Sequence, residues 1–159
     1  MIVFSTNGKI TPEDDKTNIK HTFTVGAGVK SLTVKYSYSP KVVEDKSLAT
    51  LAVTNAMKKY KVESLNSEAF FPVKNLVTLS FDECGNYRGA CHRQPNEQII
   101  TIAPQNSTPG IFNREITPGE WDVVLNIHYA GCDIDYEIEI DAKEEKQCCL
   151  LYTSDAADD

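Results

Sequence analysis

Apolar and polar residues alternate with a period of two through much of this chain. The pattern is clearest where Ile134, Tyr136, Ile138 and Ile140 are separated by Asp135, Glu137 and Glu139, with Asp133 and Asp141 outside them. Successive side chains of a strand point to opposite faces, so this segment predicts a strand with one dry face and one wet face. Residues 121–129 repeat the pattern with Trp121, Val123, Leu125, Ile127 and Tyr129 on one side, and the break at Ala130-Gly131 predicts that the two strands form a hairpin. Similar runs occur at residues 20–25 (Phe23, Val25), 31–39 (Leu32, Val34, Tyr36, Tyr38), 76–81 and 98–103. With residues 2–5 added, at least six strands are expected.

One segment breaks the period. Across residues 45–60, Leu48, Leu51, Ala52, Ala56 and Met57 are spaced for one helical face, and Asp45 or Ser47 can cap the start. The helix follows Ser39-Pro40, where proline holds the preceding residue extended and ends the strand. Turn chemistry separates the other runs, at Thr11-Pro12-Glu13-Asp14, Gly26-Ala27-Gly28, Gly85-Asn86, Thr108-Pro109-Gly110 and Thr117-Pro118-Gly119. The predicted class is mainly all-β: an antiparallel β-sandwich, jelly-roll-like or immunoglobulin-like, with one inserted α-helix near residues 45–60.

Length and composition narrow the reading further. A chain of 159 residues fits one domain with a real core, and no apolar run reaches the roughly 18 residues that a membrane-spanning helix needs. Residues 1–11 lack the basic leader and apolar stretch of a secretory signal, so a cytoplasmic location is expected, with no membrane partner. The net charge of -7 repels a phosphate backbone and the lysines and arginines are scattered, which argues against nucleic acid. Five cysteines without a Cys-x-x-Cys spacing read as reduced thiols, although a Cys84 to Cys91 bridge across the intervening turn is conceivable. The string Cys149-Leu150-Leu151-Tyr152-Thr153-Ser154-Asp155-Ala156-Ala157-Asp158-Asp159 resembles the translated end of a transposon-type sequencing adapter. Residues 148–159 are therefore expected to be a non-native tail, and residues 1–147 a single sandwich domain.

Candidate chemistry is sparse. His21, His92 and His128 are solitary in sequence, without the tight spacing that anchors a metal ion, and each reads as a surface or hydrogen-bonded residue. Glu13, Asp14 and Asp15 lack the residue order of a calcium loop and read as a solvated turn. Cys91 and His92 are adjacent, so their side chains diverge on an extended chain and make a poor nucleophile and base. No catalytic, metal-binding or cofactor-binding residue is expected. The most unusual stretch is residues 87–95, where Tyr87, Arg88, His92 and Arg93 suggest a loop that presents an interface or an anion site; the competing reading pairs Arg88 and Arg93 with acidic strand faces. Trp121 reads as core.

Several motifs together resemble a known family. They are Asn75-Leu76-Val77-Thr78-Leu79-Ser80-Phe81-Asp82, Tyr87-Arg88-Gly89 with His92-Arg93, Thr108-Pro109-Gly110-Ile111, and Pro118-Gly119-Glu120-Trp121-Asp122-Val123-Val124-Leu125. With Phe23 to Val25 and Tyr36-Ser37-Tyr38-Ser39-Pro40, they look like the N-terminal region of PHP (polymerase and histidinol phosphatase) metallohydrolases of the CehA/McbA-like kind, over roughly residues 1–142. In that family a β-sandwich precedes a distorted barrel that binds metal ions for phosphoester or related hydrolysis. The family's His-x-His and Ser-Asp-Gly metal motifs do not occur in this sequence, so no ligand is carried over to any position here. The resemblance implies a non-catalytic accessory domain that packs against a C-terminal catalytic domain, with divalent metals only in that barrel. The alternative is a free-standing binding module for carbohydrate or a protein partner.

Overall fold

The computed structural model describes residues 1–59 and 72–144. Eight strands are present among them: β1 (Ile2–Ile10), β2 (Asn18–Val25), β3 (Val29–Ser39), β4 (Leu76–Glu83), β5 (Asn86–Cys91), β6 (Glu97–Ile102), β7 (Gly119–Tyr129) and β8 (Ile134–Glu144). A helix, α1 (Lys46–Lys59), lies between β3 and β4, and a 3-10 turn over Pro12–Asp14 joins β1 to β2. The strands form two antiparallel four-stranded sheets, ordered β1-β8-β3-β6 and β2-β7-β4-β5. The pairs β1/β8, β2/β7, β3/β6 and β4/β5 nest inside one another like a long hairpin rolled up on itself, which is the arrangement of an eight-stranded jelly roll. The sandwich is thus of the jelly-roll kind rather than the immunoglobulin kind.

The alternating positions do what their period requires. Leu32, Val34, Ile100, Ile134, Ile138 and Ile140 of one sheet face Val77, Leu79, Phe81, Trp121, Val123 and Leu125 of the other, all buried. Each aliphatic side chain so buried stabilises the fold by roughly 1.5–3 kcal/mol. Two tyrosines bridge the layers: Tyr36 donates its hydroxyl to the Val77 carbonyl at 2.9 Å and Tyr38 donates to that of Asn75 at 3.3 Å.

The predicted hairpin between residues 121–129 and 134–140 does not form. β7 and β8 lie in different sheets, and their apolar faces meet across the core instead of side by side. Two strands that each carry a full dry face bury more surface face to face than as neighbours in one sheet. The connecting arch is pinned by side chains from elsewhere, with the Ala130 amide donating to Asp15 Oδ1 and the Gly131 amide to Asn75 Oδ1, at 2.8 and 2.9 Å.

The helix begins as the sequence suggests, with the Leu48 amide donating to Asp45 Oδ1 at 3.1 Å. Its predicted face is wrong. Leu48, Leu51 and Ala56 are exposed and Met57 half-buried, while Ala49 and Val53, one turn apart, are buried at 4% exposure. The buried side of the helix is thus a narrow i, i+4 stripe of small residues, not the broader set of larger ones. The side chain of Ala52, the predicted helix end at Tyr60 and the predicted tail at 148–159 lie outside the described residues. No described helix is long and apolar enough to cross a membrane.

Candidate functional site

The unusual stretch at residues 87–95 is mostly a strand, not a loop, and this separates its four candidate residues. Tyr87 and Arg88 lie near the β4–β5 turn, whereas His92 and Arg93 follow the other end of β5. Tyr87, His92 and Arg93 are exposed, but Arg88 is fully buried. β5 can run here because Gly89, at φ +139°, lets the segment that follows β6 cross over it: a Cβ on Gly89 would collide with the Gly110 carbonyl oxygen and lie 2.6 Å from Ile111 Cα.

Arg88 uses all five of its N–H donors inside the protein. Nε donates to the Phe112 carbonyl at 3.0 Å, Nη1 to Glu83 Oε1 at 2.9 Å and the Glu115 carbonyl at 3.1 Å, and Nη2 to the carbonyls of Ala103 and Arg114 at 3.4 and 2.6 Å. Its guanidinium sits 5.5 Å from the centre of the Trp121 ring. Glu83 also accepts from Arg114 Nε at 3.3 Å and from the Thr117 amide at 2.8 Å. Burial pushes the Glu83 carboxyl up, but hydrogen bonds from Thr117 and the Arg88 charge outweigh it and hold the group below the usual glutamate value. The cluster clips the segment between β6 and β7 to the β4–β5 hairpin. No donor of Arg88 is left for an outside anion.

On this rigid base stands an exposed aromatic pair. The rings of Tyr87 and Phe112 meet edge to face at 6.0 Å, and both residues are about half exposed, at 55% and 51%. Arg114 lies 5.6 Å from the Phe112 ring centre and donates from Nη2 to the Tyr87 carbonyl at 2.9 Å.

A second polar cluster occupies the outer face of the β2-β7-β4-β5 sheet. The Thr78 hydroxyl oxygen is 2.9 Å from His92 Nδ1 and 2.8 Å from His128 Nε2, and the two rings stand 5.3 Å apart. A hydroxyl between two imidazoles has the partners of an activated nucleophile, but Thr78 is fully buried and no substrate atom can reach its oxygen. The single hydroxyl hydrogen goes to one ring while the other ring donates its N–H back. Desolvation, the facing His92 ring and Lys16 together hold His128 below the ordinary histidine value. His21 is elsewhere, pointing inward at the open edge of the sandwich, with Nε2 3.0 Å from the Tyr136 hydroxyl and its ring 5.7 Å from that of Phe4.

No family model matches the chain, and no curated protein matches it either. Among solved structures, a crystal structure of a protein from Sulfurospirillum deleyianum is similar over 87% of this chain and 98% of its own, at 12% identity and a TM-score of 0.32. So slight a likeness carries nothing further.

The remaining candidates have structural partners. Asp14 Oδ2 accepts the Thr11 amide at 2.8 Å, so with Asp15 holding the Ala130 amide the acidic turn serves as a set of caps. Cys84, Cys91 and Cys132 are free thiols, and the conceivable Cys84 to Cys91 bridge is absent. Trp121 is core, with Nε1 donating to the Thr117 carbonyl at 2.7 Å. Sequence reasoning missed Phe112 and Arg114, which the segment crossing β5 sets beside Tyr87, and Thr78, which strand register sets between the histidines; local spacing has no signal for either.

Proposed function

We propose that this sandwich is a non-catalytic accessory domain that docks onto the catalytic barrel of a metal-dependent hydrolase of the PHP type. The observation that supports docking is the Tyr87–Phe112 pair with Arg114 beside it. Tyrosine, other aromatics and arginine are the residues enriched at the centres of protein interfaces. Here the Arg88–Glu83 clip fixes their backbone, so little freedom is lost when a partner covers them. The hydrolase as partner is the part drawn from the resemblance over residues 1–142. A cytoplasmic location goes with this reading, as does the exposure of the free thiol of Cys84.

The test is to amplify the source DNA past the codon for Gln147 and express the uninterrupted protein. A continuation encoding His-x-His and Ser-Asp-Gly is expected, together with a hydrolase in which Tyr87→Ala/Phe112→Ala makes the junction between the domains more sensitive to limited proteolysis. A stop codon or an unrelated continuation would remove the hydrolase from the reading.

A free-standing module remains the second reading because of a different surface. The outer face of the β1-β8-β3-β6 sheet forms a trough of about 670 Å³ lined by Ser5, Asn7, Lys35, Ser37, Glu97 and Glu137 among others. Short hydroxyl, amide and carboxylate side chains suit a carbohydrate, and a glycan-array screen of the chain tests it.

A further inference from the structure

We infer that His92 and His128 form a two-imidazole site for a divalent transition-metal ion of the zinc, nickel and copper class, on the outer face of the β2-β7-β4-β5 sheet. This does not depend on the docking reading, and it departs from the expectation that the chain holds no metal ligand. Two ring nitrogens already converge there, His92 Nδ1 and His128 Nε2, at 2.9 and 2.8 Å from the same Thr78 oxygen. The ring centres are 5.3 Å apart. Two imidazoles that share one tetrahedral ion at about 2.0–2.1 Å per nitrogen have ring centres about 5 Å apart. The rings therefore stand near chelating separation, and binding requires their nitrogens to turn from the buried hydroxyl toward the depression outside it.

The protonation state suits a ligand. The Thr78 hydroxyl hydrogen points at one of the two inward nitrogens, which must therefore carry a lone pair. Two imidazolium rings would both point an N–H at the one buried oxygen, so at least one ring is neutral in this geometry. Both histidines are exposed, in a depression of about 440 Å³ that Lys16, Thr17, Asn18 and Asn126 also line. Lys16 is the cation facing the site from the β1–β2 connection, and its ammonium is engaged by the His128 carbonyl at 2.6 Å and by Asp15 at 3.4 Å. Among the described residues no group of three or more His, Cys, Asp or Glu side chains is placed to hold a metal. The remaining coordination positions thus fall to water or to a donor outside the described residues. Imidazole ligands without a carboxylate select transition ions over Mg²⁺ and Ca²⁺.

The experiment is a Zn²⁺ titration of the full chain at pH 7.5, with accessible thiols alkylated beforehand and the histidine ring nitrogens followed by NMR. The His92 and His128 resonances should shift together while those of His21 stay still, and Ca²⁺ should move none of them. His92→Gln and His128→Gln, both at exposed positions, should each weaken binding by about tenfold or more, since loss of even an outer partner of a metal ligand costs that much. Thr78→Val removes the hydroxyl that competes for both nitrogens and should bind Zn²⁺ at least as tightly as the parent. Zn²⁺ binding that leaves the His92 and His128 rings unmoved, affinity undiminished from the parent in either Gln variant, or no binding at all overturns the inference.

Discussion

Replacing Arg88 by methionine keeps an unbranched side chain in the site but removes the charge and five hydrogen bonds. Glu83, 3% exposed, would then be left with the Thr117 amide and the half-exposed Arg114 as partners. Removing one member of a buried ion pair typically costs about 3–5 kcal/mol. The carbonyls of Ala103, Phe112, Arg114 and Glu115 lose their donor too, at about 1 kcal/mol for each that water does not reach. A loss of at least 3–5 kcal/mol is a large share of the roughly 5–15 kcal/mol that stabilises a typical domain. Trp121, the sole tryptophan and fully buried, reports unfolding in urea by its fluorescence. Glu83→Gln should be costly in the same way, and the double variant should lose less than the two singles together by about 2 kcal/mol, because each charge is harmful chiefly when the other is missing. A loss under about 1 kcal/mol for Arg88→Met, or strict additivity, would mean that the pair behaves like an exposed surface bridge. The same pair sets a pH dependence. A carboxyl held below its unfolded value near 4.5 contributes stability that is full above that pH and disappears as pH falls through the lower folded value, so Glu83→Gln should flatten the acid limb of the stability curve.

Further outcomes follow from other positions. His128 is also held below its unfolded value of 6.5, so its contribution to stability is present above that pH and is lost as pH falls through the folded value; His128→Gln should reduce the drop in melting temperature between pH 7.5 and 5.5. Gly89→Ala would force a side chain to φ +139° and against the crossing backbone at Gly110 and Ile111, and urea unfolding should show a loss of about 2–4 kcal/mol. Burial pushes the Cys91 thiol up and keeps it at 1% exposure, so Ellman's reagent should modify Cys84 in the native protein while Cys91 reacts only on unfolding.

The dry faces of β7 and β8 were legible because hydrophobic burial acts through local period, and the residues at those phases are the ones found in the core. Their pairing was not, because a four-residue connection at 130–133 serves a hairpin or an arch between sheets, and only the competition between two apolar faces decides. β5 was missed because its buried residues include Arg88, Gly89 and Ala90 instead of an alternating aliphatic set. A signal did exist: Glu83 occupies the inward phase set by Val77, Leu79 and Phe81, a carboxylate where an apolar residue belongs, and an arginine follows just beyond the turn. Two opposite charges at inward phases on neighbouring strands mark a buried pair. For His92 and His128 no such signal existed, since Thr78, on a third segment, brings them together.

The nested pairing β1/β8, β2/β7, β3/β6 and β4/β5 also imposes an order in time. Among the described strands only β4 and β5, joined at Gly85, can meet as soon as the ribosome has made them; β1 and β2, the first of the sandwich in chain order, have as sheet partners its last two, β8 and β7. Contacts of such long sequence separation form slowly, because the intervening chain must first be closed into a loop. Phe4, Phe23 and Val25 therefore wait in the nascent chain until β7 and β8 emerge, and over that interval a chaperone or a neighbouring chain is their nearest cover.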